Sequence, residues 1–248
     1  MKHIKLFKSF FSPTSLTEEQ KSWLDECAKG DWKLNRLTRL VDVDDNFYCS
    51  SQGLKDFKGV AFGHIKGYFK CSGNQLTSLV GAPQTVNGDF NCGFNKLTSL
   101  EGAPKTVDGD FNCEGNQLTS LVELPKSMTV RGGFYCNHNQ LTSLEGAPKT
   151  VGAGLFCGNN SLTSLKGAPK TVSGGFYCKN NPISEKTLKS IFILMKNGKS
   201  YQQALEKFWP EMDNDDRVLM YKNHRSLTPE EIRKYQALEK INRIKGYL

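Results

Sequence analysis

The chain has 248 residues, 38% hydrophobic and 23% charged, with a formal net charge of +8. That balance can bury a core and excludes a compositionally disordered chain; no apolar stretch is long enough to span a bilayer as a helix. The charge is spread out: Lys and Arg against Asp and Glu run 8 to 8 over residues 1–46, 12 to 8 over 47–182 and 13 to 9 over 183–248. With no block of like charges, the basic balance is a weak hint of an acidic partner and no more.

At the N-terminus, Lys8 interrupts the apolar run around Phe7 and Phe10, and no small-residue cleavage pattern follows. A secretion signal is therefore not expected, and a cytoplasmic location is. Thr17-Glu18-Glu19-Gln20 is a capping-box pattern. It predicts a helix to about Cys27, stopped by Gly30. Trp23, Leu24, Trp32 and Leu34 are the large apolar groups available to plug the end of whatever follows. Residues 1–42 are accordingly expected to form a helical N-terminal cap.

From residue 43 the chain keeps time by its cysteines. Cys49, Cys71, Cys92, Cys113, Cys136, Cys157 and Cys178 are separated by 22, 21, 21, 23, 21 and 21 residues. A fixed period of this length identifies a repeat architecture. The superposed units read Val-x-Gly-x-Phe-x-Cys-x-x-Asn-x-Leu-Thr-Ser-Leu-x-Gly-Ala-Pro-x-Thr, cleanest from Val86 to Thr106. Asn74, Asn95, Asn116, Asn139, Asn160 and Asn181 follow their cysteines by three residues, while the first unit has Gln52 and reads as a degenerate terminal copy.

Phe and Cys two residues apart leave a strand on the same side, and the residue between them leaves on the other. Stacked in parallel, such strands place Phe and Cys in one continuous core. Each unit then buries roughly five apolar side chains, each worth about 1.5–3 kcal/mol. A unit alone cannot bury them, so the copies must stack. The asparagine amide falls where the strand ends and can satisfy the backbone of the bend. Gly-Ala-Pro supplies a tight non-helical return.

Phe-x-Cys-x-x-Asn-x-Leu resembles the leucine-rich-repeat consensus Leu-x-Leu-x-x-Asn/Cys-x-Leu. The continuation Leu-Thr-Ser-Leu-x-Gly-Ala-Pro is similar to repeats carried by tailed-bacteriophage and bacterial proteins, and Leu121-Val122-Glu123-Leu124-Pro125-Lys126 to those of bacterial effectors. The resemblance implies an α/β solenoid: a right-handed coil of about seven repeats of 21–23 residues over 43–182, with short parallel strands and helical segments at both ends. It also implies protein binding, which for a phage product means a host protein in the bacterial cytoplasm.

A cysteine column admits a disulfide ladder, a metal site or plain core. No paired Cys-x-x-Cys is present, and the expected compartment is reducing, so the thiols are read as core and no metal or other cofactor is expected. Cys27 lies near no histidine in sequence. Gly198-Lys199-Ser200 ends like a phosphate loop, but Ile193 stands where that loop needs glycine. His3, His64, His138 and His224 are scattered, and no triad or catalytic carboxylate pair emerges, so no enzyme activity is expected. The ubiquitin-ligase domain of some similar effectors is not implied, because 183–248 contains no cysteine.

After Pro182 the grammar turns helical. Ser184 is a candidate N-cap, and Leu188, Ile191, Phe192 and Met195 form a stripe at helical spacing. Further helices are expected over about 200–208 and from Thr228-Pro229-Glu230-Glu231 onward. In the last one Ile232, Tyr235, Leu238, Ile241 and Ile244 recur every third residue, which wraps around the helix and suits either a cap or a second interface. Residues 183–248 are expected to form this C-terminal helical segment.

In the family resembled, strand residues that miss the core line a concave binding face. Here the middle of that face presents Asn91, Asn112, Asp89, Asp110 and Glu114, a polar and acidic patch. The C-terminal half presents Tyr135, Phe156 and Tyr177, flanked by glycines expected to leave the ring faces bare, with Lys179 beside them. These residues are the candidate binding site for a protein partner; mutual stacking of the rings is the alternative. A virion or assembly component is the second expectation. Nucleic-acid binding ranks below both, because that face is acidic at its centre.

Overall fold

The computed structural model describes residues 15–163 and 165–183. Over them the chain winds as a parallel β-solenoid with two sheets, one on either side of a single core. The seven-stranded sheet stacks Phe47–Tyr48, Phe69–Lys70, Phe90–Asn91, Phe111–Asn112, Phe134–Tyr135, Leu155–Phe156 and Phe176–Tyr177 in sequence order. The eight-stranded sheet runs Trp32–Leu34, Val41–Val43, Phe62–Ile65, Thr85–Val86, Thr106–Val107, Thr129–Val130, Thr150–Val151 and Thr171–Val172. Every neighbouring pair is parallel except the first of the eight-stranded sheet, where Lys33 faces Asp42 antiparallel.

The core is built as the period requires. In each full turn Phe (Leu155 in one), Cys, two Leu and Val point inward; in one turn Phe90, Cys92, Leu97, Leu100 and Val107 are all fully buried. Phe47, Phe69, Phe90, Phe111 and Phe134 form an internal stack with centroids 5.4–5.7 Å apart and planes within 22°. Leu155 ends it. The thiols are free and buried. Cys92 and Cys113 donate to the carbonyls of Asn112 and Tyr135 in the next turn, at 3.3 Å each.

The asparagine column binds turn to turn. Asn95 donates to the carbonyls of Cys71 and Cys92, at 3.0 and 3.1 Å, and accepts from the N–H of Leu76 at 3.0 Å. Asn74, Asn116, Asn139, Asn160 and Asn181 repeat the arrangement. An amide meets both needs because it carries a donor and an acceptor on one planar group. Between Cys and Asn the chain turns through a left-handed residue: Ser51, Gly73, Phe94, Gly115, His138, Asn159 and Asn180 all have φ between 51° and 68°.

Two expectations need correction. The solenoid is not α/β: among the described residues the return after Gly-Ala-Pro is a second parallel sheet, whose Thr-Val pairs are too short to show a period of two in sequence. Nor is the N-terminal segment wholly helical. A helix spans Glu18–Cys27, with Thr17 accepting from Gln20 and Gln20 returning the bond. The next strands, however, join the eight-stranded sheet, because Trp32–Leu34 pairs with Val41–Val43. The helix still covers the first turn, with Trp23 edge-on to Phe47 at 5.4 Å and its indole N–H bonded to Gln52 at 2.9 Å. The expected C-terminal helices lie outside the described residues.

Candidate functional site

The residue between Phe and Cys points away from the core, so the seven-stranded sheet displays one continuous column: Tyr48, Lys70, Asn91, Asn112, Tyr135, Phe156 and Tyr177, each paired with the next. All are half-buried. The column holds three chemically distinct zones.

The C-terminal zone is aromatic. Tyr135 stacks on Phe156 at 4.3 Å with planes 3° apart, and Phe156 on Tyr177 at 4.5 Å and 7°. The parallel strands impose this geometry, since adjacent strands lie about 4.8 Å apart. The glycines expected to leave the faces bare act otherwise. Each ring lies over the glycine two residues before it: a Cβ on Gly133 would sit 2.8 Å from Tyr135 Cε2, and one on Gly154 2.7 Å from Phe156 Cε2. Gly175 is likewise overlain by Tyr177. The rings cover one another's faces and turn their edges outward.

The middle zone is polar, and much of its polarity is already engaged. Asp89 accepts from the Asp110 N–H at 2.9 Å, and Asp110 from the Gly133 N–H at 2.6 Å. Asn91 and Asn112 accept from Gly93 and Glu114, two residues on, at 3.0 and 2.9 Å. Each carboxylate or amide thereby satisfies a backbone donor that the short strands leave unpaired. Partial burial pushes the Tyr135 hydroxyl pKa up, and the nearby Asp110 carboxylate adds to the rise. Tyr135 thus lies within electrostatic reach of the acidic patch. Glu114 is half-buried on the same face, whereas Lys179 is exposed at its C-terminal end.

The N-terminal zone is one that sequence reading missed. Lys70 Nζ lies 5.7 Å from the Tyr48 ring centroid and 5.1 Å from that of Tyr68, a paired cation–π contact. Lys70 and Tyr48 stand in the same repeat column, which was the available signal. Phe94 was also overlooked. It occupies the left-handed corner at φ 53° and is 59% exposed.

Among the described residues no three His, Cys, Asp or Glu side chains are grouped to hold a metal ion, and no helix is long and apolar enough to cross a membrane. Burial raises the thiol pKa values of Cys49, Cys71, Cys92, Cys113, Cys136 and Cys157 well above the usual range, which suppresses their nucleophilicity. No protein-family model matches this chain, and neither a curated protein nor a solved structure matches it.

Proposed function

We propose that this chain is a non-enzymatic binding module whose protein partner docks on the outward face of the seven-stranded sheet, centred on Tyr135, Phe156 and Tyr177. The observation that carries this reading is the coplanar ring stack, half-exposed and held over glycines. Rings held in one geometry lose little conformational freedom on binding, and aromatic anchors are enriched among interface hot spots. Asp110 and Glu114 on one side and Lys179 on the other supply a polar surround in which charge selects the partner. The resemblance to leucine-rich repeats of phage proteins makes a bacterial host protein the partner to seek.

The test is photocrosslinking from p-benzoylphenylalanine placed at Phe156, beside the same probe at Lys96, followed by capture from bacterial lysate with the Tyr135→Ala/Phe156→Ala/Tyr177→Ala variant as reference. A protein crosslinked only from position 156 and lost from the triple variant supports the reading. Equal recovery by all forms, or co-sedimentation of the chain with phage particles, overturns it in favour of another surface or a particle component.

A further inference from the structure

The eight-stranded sheet presents a second outward surface of different chemistry. Its valines face the core, and its threonines face out in one register: Thr85, Thr106, Thr129, Thr150 and Thr171. In three of these turns a lysine immediately precedes the threonine, namely Lys105, Lys149 and Lys170, and the intervening turn carries Lys126. All four lysines are exposed, and none has an ion-pair partner among the described residues. Turns stack about 4.8 Å apart, so Lys105, Lys149 and Lys170, which share one register over three turn steps, span about 14 Å along the solenoid, while Lys126 lies three residues before Thr129, outside that register.

The repeat is irregular at the centre of this row. The unit from Cys113 to Cys136 is 23 residues long, where its neighbours have 21. The two extra residues are taken up by a turn that the Met128 N–H closes onto Pro125 O at 2.8 Å. Lys105 and Lys170, each before a threonine, donate to Gln84 and Lys149 of the preceding turn at 2.9 and 2.8 Å, whereas in the longer turn it is the Thr129 N–H that reaches Lys105 O, at 3.2 Å. Beside this bulge lies a groove of about 500 Å³, lined among others by Lys126, Ser127, Thr129, Arg131, Lys149 and Thr150. Its lining contains three cations, no carboxylate and no aromatic ring. Arg131 is paired with Asp108 at 3.3 Å, yet its side chain stays 74% exposed.

We infer that this face binds the phosphate backbone of duplex nucleic acid, without reading its sequence. Lysine, arginine and hydroxyl donors contact phosphate oxygens directly. A row of about 14 Å matches the rise of about four phosphates along one duplex strand. Without aromatic side chains there is nothing on which unpaired bases could stack, which favours a duplex over a single strand. A specific acidic peptide would add apolar anchors to its charges, and the apolar residues lining the groove, Met128 and Val130, are buried. Low rank for nucleic acid was expected from the acidic centre of the other sheet; the lysines gather on this one. The site is separate from the aromatic stack, so either can fail alone.

The test is fluorescence anisotropy of a labelled mixed-sequence DNA duplex of about 20 base pairs, titrated with the full chain between about 50 and 200 mM salt. Lys126→Glu/Lys149→Glu/Lys170→Glu is compared with Lys29→Glu/Lys55→Glu/Lys96→Glu, which makes the same charge change elsewhere. The expected result is micromolar binding by the native chain, weakened more than about tenfold by the first variant, with the log–log salt slope shallower by about 2.7. The second variant should lose less than about threefold, since the long-range field is largely screened at this salt. Absence of binding, equal loss in both variants, or full retention by the first overturns the inference. So does displacement of the duplex by poly-glutamate at equal charge concentration, which would assign the face to an acidic polypeptide.

Discussion

Phe156 lies face to face with Tyr135, 4.3 Å between ring centroids, directly above a Gly154 whose absent Cβ would stand 2.7 Å from its Cε2. The stack and its glycine floor are therefore one device. Gly154→Ala should lift Phe156 out of the stack and forfeit part of a pairing worth about 0.5–1.5 kcal/mol beyond area burial. The expected outcome is a weakened near-UV dichroism and a urea midpoint lowered by about that amount. An unchanged aromatic spectrum would show that the ring tolerates the Cβ.

Asn116 joins two turns through bonds to Cys92, Cys113 and Leu97 at 3.0–3.1 Å. Asn116→Ala leaves the buried Leu97 N–H unpaired, at a cost of about 1–3 kcal/mol, and removes the amide's donor bonds as well. Equilibrium urea unfolding should register a loss of at least about 2 kcal/mol. Asn116→Asp should not rescue it near neutral pH, because a carboxylate accepts but cannot donate to those carbonyls.

Phe94 adopts φ 53° at a corner where Asn159 and Asn180 adopt 51° and 58°. Bulky side chains are disfavoured there, whereas asparagine visits the left-handed region readily. Phe94→Asn should raise stability by about 1 kcal/mol, read from the same urea curves. A loss of stability would mean that the ring's position over Gly115 outweighs the backbone strain.

The buried thiols make the fold sensitive to alkali. Burial raises the folded-state pKa values of Cys71, Cys92 and Cys113 far above those of the unfolded chain. Below about pH 8.5 both states hold these protons and stability is unaffected. Above it the unfolded chain ionises first, so stability falls as pH rises, by up to about 1.4 kcal/mol per pH unit for each such thiol. Unfolding free energies at pH 8 and pH 10 should differ sharply, and replacing Cys92 and Cys113 by alanine should flatten the pH slope. A flat profile in the native chain would refute the argument.

Trp23 closes the first turn against Phe47 and Phe62. Trp23→Ala uncovers both rings, and the expected loss is about 3–5 kcal/mol, measured by denaturant titration followed by far-UV dichroism. A loss near zero would mean that the Glu18–Cys27 helix does not seal the array.

The cysteine period alone was enough to establish a solenoid, its inward Phe, Cys and Leu positions and its asparagine column. Those positions repeat because each turn must meet the same neighbour, and an identical contact demands an identical residue. The helix from Glu18 to Cys27 was legible from its capping box for a local reason: the bonds that start a helix lie within four residues. Tertiary structure alone decided the rest. A two-residue Thr-Val strand has no periodicity of its own and exists only because the turns on either side pair with it. The rings of Tyr135, Phe156 and Tyr177 were placed in one column by sequence, but only packing decided that they cover each other's faces and rest on glycine. The lysines before the threonines look dispersed along the chain, and they become a row when strand pairing stacks positions about 21 residues apart.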